Sequence, residues 1–277
     1  MNVQNRDDSR AGWDRIAPGY DRTNTPTQMW LGNEALRRAG LGPGMRFLDV
    51  AAGSGALAIP AARRGARVLA TDQSGEMLKL LQQRARTEGL SIDTREMDGH
   101  TLDLEDGSFD MAGSQFGVML FPDMPRGIRE MARVVASGGR VLMIAYGDPH
   151  EIEFLGFLVT AIRCVRPDFD GPPMDPTPLP FQLQNSDRLR DEFAAARLRD
   201  ISVATITEVT EFYSGPALWD WLVCSNPIVE AILADLALDD DELGEVKRTL
   251  DAMVRERAGG SVAAKLSNPV HIGIGMK

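Results

Sequence analysis

Cysteine is nearly absent: Cys164 and Cys224 are the only two in 277 residues. So sparse a pair excludes a disulfide scaffold and a zinc cluster, and it suits a reducing, cytoplasmic setting. Histidine is scarce as well, with His100, His150 and His271 the whole supply. Positive charge is in deficit, 30 basic against 40 acidic side chains, for a net charge of −10. Such a field repels phosphate backbones and anionic lipid surfaces, so neither nucleic acid nor a membrane is the expected partner. No run of about 18 apolar residues occurs, and the polar start from Met1 to Arg10 lacks the apolar stretch of a signal peptide. No period of about 20 to 50 residues recurs, which excludes a solenoid.

What is present is an ordinary globular mixture, 43% hydrophobic and 25% charged, long enough for one large α/β unit with insertions. From Met45 to Tyr146 short apolar runs alternate with helical patterns, the sequence form of βαβ units building a parallel sheet. Strands are predicted at Arg46–Val50, Arg67–Thr71, Ile92–Met97, Phe109–Gly113 and Arg140–Tyr146. Met77, Leu78, Leu81 and Ala85 recur at helical spacing behind Ser74, a candidate N-cap, and Gly89 ends that helix. Ile128, Met131, Ala132 and Val135 mark a second helix, which Gly138 and Gly139 are expected to stop.

After Asp148 the pattern changes. Glu151–Val165 reads as a helix, and 167–180, with six prolines, reads as an irregular insertion. Ser186–Ala196 is a further helix with Ser186 as cap, Ile201–Phe212 alternates as a strand, 226–257 is mostly helical, and Val270–Met276 is a last strand. Two more strands thus join the sheet late. The chain divides into an N-terminal helical lid, 1–40, a ligand-binding core, 41–148, and a remainder, 149–277, that completes the sheet and carries helical insertions within one structural domain.

The most informative stretch is Phe47-Leu48-Asp49-Val50-Ala51-Ala52-Gly53-Ser54-Gly55, an apolar strand running into a small-residue turn. Glycines there let the backbone approach a ligand, and the following helix start presents free N–H groups. With Ala58 and with Asp72 ending the second strand, the turn also satisfies a dinucleotide pattern. Asp72 suits the hydroxyls of an adenosine ribose in either case. Asp49 separates the readings: a carboxylate ahead of the glycines repels a pyrophosphate and attracts an ammonium or sulfonium, by up to about 4 kcal/mol at roughly 4 Å before desolvation.

Asp49 to Gly55, Thr71-Asp72, Met97-Asp98 and Asp106-Gly107-Ser108-Phe109-Asp110 together resemble the class I S-adenosylmethionine-dependent methyltransferases, in particular the small-molecule enzymes of the ubiquinone/menaquinone-biosynthesis type. The resemblance covers Trp13 to about Tyr146 and departs at Ala51, where the family carries a glycine. It implies a Rossmann-like, mostly parallel seven-stranded sheet with helices on both faces and a mainly helical lid or insert. It also implies S-adenosyl-L-methionine as cofactor. Ala51, Gly53 and Gly55 would line the methionine tail, and Asp49 would hold its amino group. Asp72 would take the ribose hydroxyls, Gln73 and Met77 would flank the adenine, and Asp98 would accept its amino group beside Gly99 and His100. Ser114, Gln115 and Phe116 follow the fourth strand and open towards the acceptor. Trp13 to Asp21 resembles the family's lid segment, with Tyr20 closing over the cofactor.

Methyl transfer needs alignment and, for some acceptors, a base. His150, Tyr146 and Tyr20 are the candidate catalytic groups, and no metal is expected, since Asp148, His150 and Glu151 lack ligand spacing. Phe154, Phe157, Trp219 and Trp221 offer grips for a flat apolar acceptor, and equally serve helix packing or a homodimer contact. The reaction read here is methyl transfer to a small organic acceptor at an unassigned O, N or C atom. Two alternatives stand beside it: an NAD(P)-dependent oxidoreductase, for which no Tyr-x-x-x-Lys pair is found, and a non-catalytic binding module of the same fold.

Overall fold

The computed structural model describes residues 6–172 and 174–277. Seven strands form one sheet in the order β3-β2-β1-β4-β5-β7-β6. They are β1 Arg46–Val50, β2 Arg67–Asp72, β3 Ile92–Glu96, β4 Phe109–Gln115, β5 Val135–Tyr146, β6 Arg199–Phe212 and β7 Ala264–Met276. The first five pair in parallel. β7 runs antiparallel to both β5 and β6, which gives the expected mostly parallel, Rossmann-like sheet.

The helices are α1 Arg6–Thr23, α2 Thr25–Ala39, α3 Ala58–Arg63, α4 Gly75–Thr87, α5 Met124–Val134, α6 Glu153–Arg163, α7 Ser186–Ala195, α8 Gly215–Ser225, α9 Pro227–Leu236 and α10 Asp240–Ala258. α4 starts where Ser74 caps it, its hydroxyl accepting from Met77 N–H, and it buries Met77, Leu78, Leu81 and Ala85. α5 ends at Val134 and passes directly into β5, so Gly138 and Gly139 lie inside the strand instead of stopping the helix. The register against β4 shifts at this place, between Phe109 and Met111, and Gly138 takes φ 80°. Asn185, not Ser186, caps α7. Val270–Met276 proves to be only the last part of β7, which begins at Ala264. The helical stretch 226–257 is broken into α9 and α10 by a short loop, and Asp239 with Glu242 forms a capping box there. Of the proline-rich insertion, Pro173 lies outside the described residues, as do 1–5 of the lid.

Two large apolar cores result, beside two small clusters. One lies about the sheet and includes Phe47, Leu48, Met111, Ile128 and Val141. The other lies where β6 and β7 run past the end of the parallel strands and α6, α8 and α10 cover them, with Phe154, Trp221, Phe212, Val246 and Leu266 buried. Tyr146, at the carboxyl end of β5, packs against both. Phe154 and Trp221 are thus used inside the chain. Among the described residues no single helix is long and apolar enough to cross a membrane; only α8 and α9 taken together, bent by 103°, are that apolar.

Candidate active site

The turn after β1 is built from left-handed backbone: Ala51 has φ 55°, Gly53 54° and Gly55 104°. For an alanine this conformation costs about 1–2 kcal/mol, so the position at which the sequence departs from the family's glycine is one where glycine fits better. The turn is pinned to the second strand. Ala52 N–H donates to Thr71 O at 3.0 Å. Gly53 N–H donates to Asp72 Oδ2 at 2.8 Å, and Ser74 N–H donates to the other oxygen at 2.9 Å. A side chain at Gly53 would begin 3.7 Å from the Tyr20 ring, whereas one at Gly55 would strike Ile59 at 2.9 Å and Leu81 at 3.1 Å. Gly55 therefore serves helix packing and leaves only its backbone for a ligand.

Asp49 is wholly buried, and neither of its carboxylate oxygens completes a hydrogen bond. Burial pushes its acidity towards the neutral form, the Asp72 charge adds to this, and the Ala58 N–H gives only partial relief. Asp72 is raised in the same direction by burial, against the Ser74, Gly53 and Gln73 amides that favour its charge. Neither carboxylate has an ion-pair partner among the described residues. Two buried acids on adjacent strands with no cation between them favour a positively charged guest.

Helix α1 lies beside this pair. Ser74 Oγ donates to Asp14 Oδ1 at 2.5 Å, Gln73 Nε2 donates to Ser9 Oγ at 3.3 Å, and Arg84 pairs with Asp21 at 2.6 Å. Met77 is buried against Ile16 and Ala17, with Trp13 and Tyr20 packed alongside. The Tyr20 hydroxyl donates to Gln28 Oε1 at 3.3 Å.

Beyond β3, Asp98 Oδ1 accepts from His100 N–H at 3.0 Å and lies 2.8 Å from its Nδ1, and the His100 ring stacks on Phe121 at 4.4 Å. Gly99 is needed for close packing, since a side chain there would lie 2.5 Å from Phe121. After β4, the Ser114 hydroxyl accepts from Val118 N–H at 3.0 Å, and Phe116, at φ 55°, stacks on Tyr146 at 4.2 Å. Gln115 is buried and donates to Gln28 O. A separate surface cleft of about 370 Å³, lined by Arg15, Gly19, Cys224 and Leu233 among others, includes neither strand carboxylate.

The three candidate bases separate. His150 is exposed, on a single turn where Asp148 Oδ1 accepts its N–H. Tyr20 and Tyr146 converge instead, since the Tyr146 hydroxyl also bonds the Gln28 side chain. Burial first, and then nearby carboxylates, push both phenols upward, so they stay protonated at neutral pH.

One of those carboxylates, Glu208, escaped the sequence reading, as did Asn268 opposite it on β7. Both are fully buried, and the Glu208 carboxylate meets the Asn268 amide only in a poorly formed contact that leaves most of the hydrogen-bonding capacity of both unused. Burial raises Glu208 to about 7, with some relief from the neighbouring Asn268 amide. The available signal was parity: Glu208 and Thr210 share a strand face with Phe212.

A family model for a methyltransferase domain matches residues 48–143. A 2-phytyl-1,4-naphtoquinone methyltransferase of Trichormus variabilis is 32% identical over 158 residues, 53% of this chain and 69% of that protein. The chain belongs to the class I S-adenosylmethionine-dependent methyltransferase family. An uncharacterized protein of Mycobacterium tuberculosis is 39% identical over 145 residues, and the chain spans about half the length of such mycobacterial relatives, 52% in this case. The fold likeness extends further. The phosphoethanolamine N-methyltransferase 2 of Haemonchus contortus, solved with S-adenosyl-L-methionine, superposes with a TM-score of 0.54 at 17% identity, covering 95% of this chain and 60% of that one.

Proposed function

We propose that this chain moves a methyl group from S-adenosyl-L-methionine to a small organic acceptor. The observation that carries the reading is the pair of buried carboxylates, Asp49 and Asp72, around a left-handed glycine turn with no cation paired to them among the described residues. The residues fit the donor: Asp49 is an orphaned acceptor suited to an ammonium, and the turn at Gly53 leaves room that a side chain would fill.

In this reading Asp49 holds the amino group and Asp72 the ribose hydroxyls. The backbone at Ala51, Gly53 and Gly55 lines the tail, and Gln73 and Met77 flank the adenine. Asp98 meets the adenine amino group next to Gly99 and His100. Ser114 and Phe116 border the transfer point, and Tyr20 closes over it. Bound S-adenosyl-L-methionine supplies an activated methyl carbon on a cationic sulfur. The protein contributes alignment and exclusion of water, and such positioning reaches effective molarities of about 10⁵ M or more.

A cytoplasmic setting and the absence of a nucleic-acid partner accompany this reading, supported by two free cysteines and the acidic net charge. Calorimetry with S-adenosyl-L-methionine against NAD(P)H tests it. Micromolar binding of the first alone is expected, and binding of the nicotinamide cofactor alone would overturn it. A metabolite screen for a 14-dalton gain, the mass of an added methylene, then finds the acceptor.

A further inference from the structure

The second core contains polar groups that its own packing leaves unexplained. On the inner face of the β6–β7 extension, Glu208 stands directly across from Asn268. Their neighbours on that face, Thr210, Phe212, Leu266 and Ala264, are buried as well. A carboxylate and an amide that satisfy each other only partly are costly in an apolar core. Side chains that served only to fill this space would be apolar.

The surroundings point to a guest. Tyr146 and Tyr20 both sense the Glu208 charge, one from the end of β5 and the other from the lid. An unbroken series of aromatic contacts runs from Phe116 to Tyr146 at 4.2 Å, Tyr146 to Phe154 at 5.7 Å, Phe154 to Trp221 at 4.9 Å and Trp221 to Phe212 at 5.7 Å. Phe116 holds a strained φ of 55° at the start of this series, next to the cofactor turn. A side chain on the following Gly117 would lie 2.6 Å from Ala51 Cβ. The aromatic wall therefore links the turn after β1 to Glu208, at the carboxyl ends of the strands where ligands of this architecture enter.

We propose that Glu208 and Asn268 form the acceptor subsite, binding the hydroxyl of a flat aromatic alcohol laid against the ring series of Tyr146, Phe154 and Trp221, and that Glu208 receives its proton. This rests on the methyl-transfer reading above. The carboxylate accepts the hydroxyl hydrogen and the adjacent amide donates to the same oxygen, so each buried group gains a well-formed partner. During transfer the hydroxyl oxygen forms a bond to the methyl carbon while the carbon–sulfur bond breaks, its electron pair remaining on sulfur. The proton passes to the Glu208 carboxylate and leaves to solvent with the methyl ether.

The test uses the full chain with two probes, 2-naphthol and 2-methoxynaphthalene, which lacks the donor. With the protein saturated by S-adenosylhomocysteine, the wild type binds 2-naphthol at least about tenfold more tightly than the ether, and Glu208→Leu abolishes this preference while still binding the ether. With S-adenosyl-L-methionine, Glu208→Gln lowers kcat for 2-naphthol methylation by about 100-fold or more at unchanged cofactor affinity. Equal binding of the two probes by the wild type, a preference that survives in Glu208→Leu, or undiminished turnover in Glu208→Gln would overturn the subsite. Failure of the wild type to bind S-adenosyl-L-methionine would instead overturn the methyl-transfer reading.

Discussion

Asp72 accepts the backbone N–H of Gly53 at 2.8 Å, which joins the acid of the second strand to the turn after the first. The same carboxylate takes the Ser74 N–H and so also steadies the start of α4. Asp72→Ala is expected to weaken S-adenosyl-L-methionine binding by at least about 1.5 kcal/mol and to lower stability, because the Gly53 and Ser74 amides lose their acceptor. Asp72→Asn, which keeps an acceptor oxygen, should retain most of the stability and lose affinity. Isothermal titration beside thermal melts checks both.

Replacing Ala51 by glycine should reverse the usual sign of that substitution. At an ordinary position glycine costs roughly 0.5–1 kcal/mol relative to alanine. Here φ is 55°, so removing Cβ relieves a left-handed residue and the entropic cost is met or exceeded. Urea denaturation is expected to give a change between zero and about 1 kcal/mol in favour of the glycine variant.

The lid contact through Asp14 makes a kinetic prediction. Its carboxylate accepts from Ser74 Oγ and, at 3.4 Å, from Glu76 N–H. Asp14→Ala should loosen α1, which hydrogen exchange would register as faster exchange at 9–23. Stopped-flow mixing should then show quicker cofactor association than in the wild type, while an unchanged rate would mean that α1 does not limit entry.

Glu208 gives a pH dependence of defined sign. Its folded-state value, about 7, lies above the 4.5 of a free glutamate. The protonated fold is thus favoured: the contribution is complete below about pH 4.5 and is lost as pH rises to 7, amounting to roughly 3 kcal/mol. Tyr146 and Tyr20, which face it, stay protonated across this window, and Asp49 and Asp72 shift in the same direction. Glu208→Gln removes the dependence, so its melting temperature relative to wild type should climb between pH 5 and pH 8.

The fold around the turn after β1 was legible because its signals are local. The β1 apolar run, the Asp49–Gly55 turn and the Asp72 strand end occupy contiguous stretches whose residue types report their own backbone. The Ser74 cap was readable for the same reason. Gly138 and Gly139 misled because a glycine pair marks a helix stop and a strand irregularity equally well, and only pairing with β4 decides between them. Glu208 was hidden by register. In a strand rich in Thr and Glu, which face is buried depends on a partner 60 residues downstream, Asn268. His150 drew attention by residue type and by its place after β5, yet the turn that carries it faces solvent.

Tyr146 touches both apolar cores, and little else bridges them at the end of β5. In the proposed reading, donor recognition and acceptor recognition are anchored in separately packed halves that share one ring. Substitutions under α6, α8 and α10 would then remodel what is methylated while the donor pocket keeps its shape. The architecture thereby lends itself to divergence of one specificity at constant chemistry, and to grafting a new roof on an old engine.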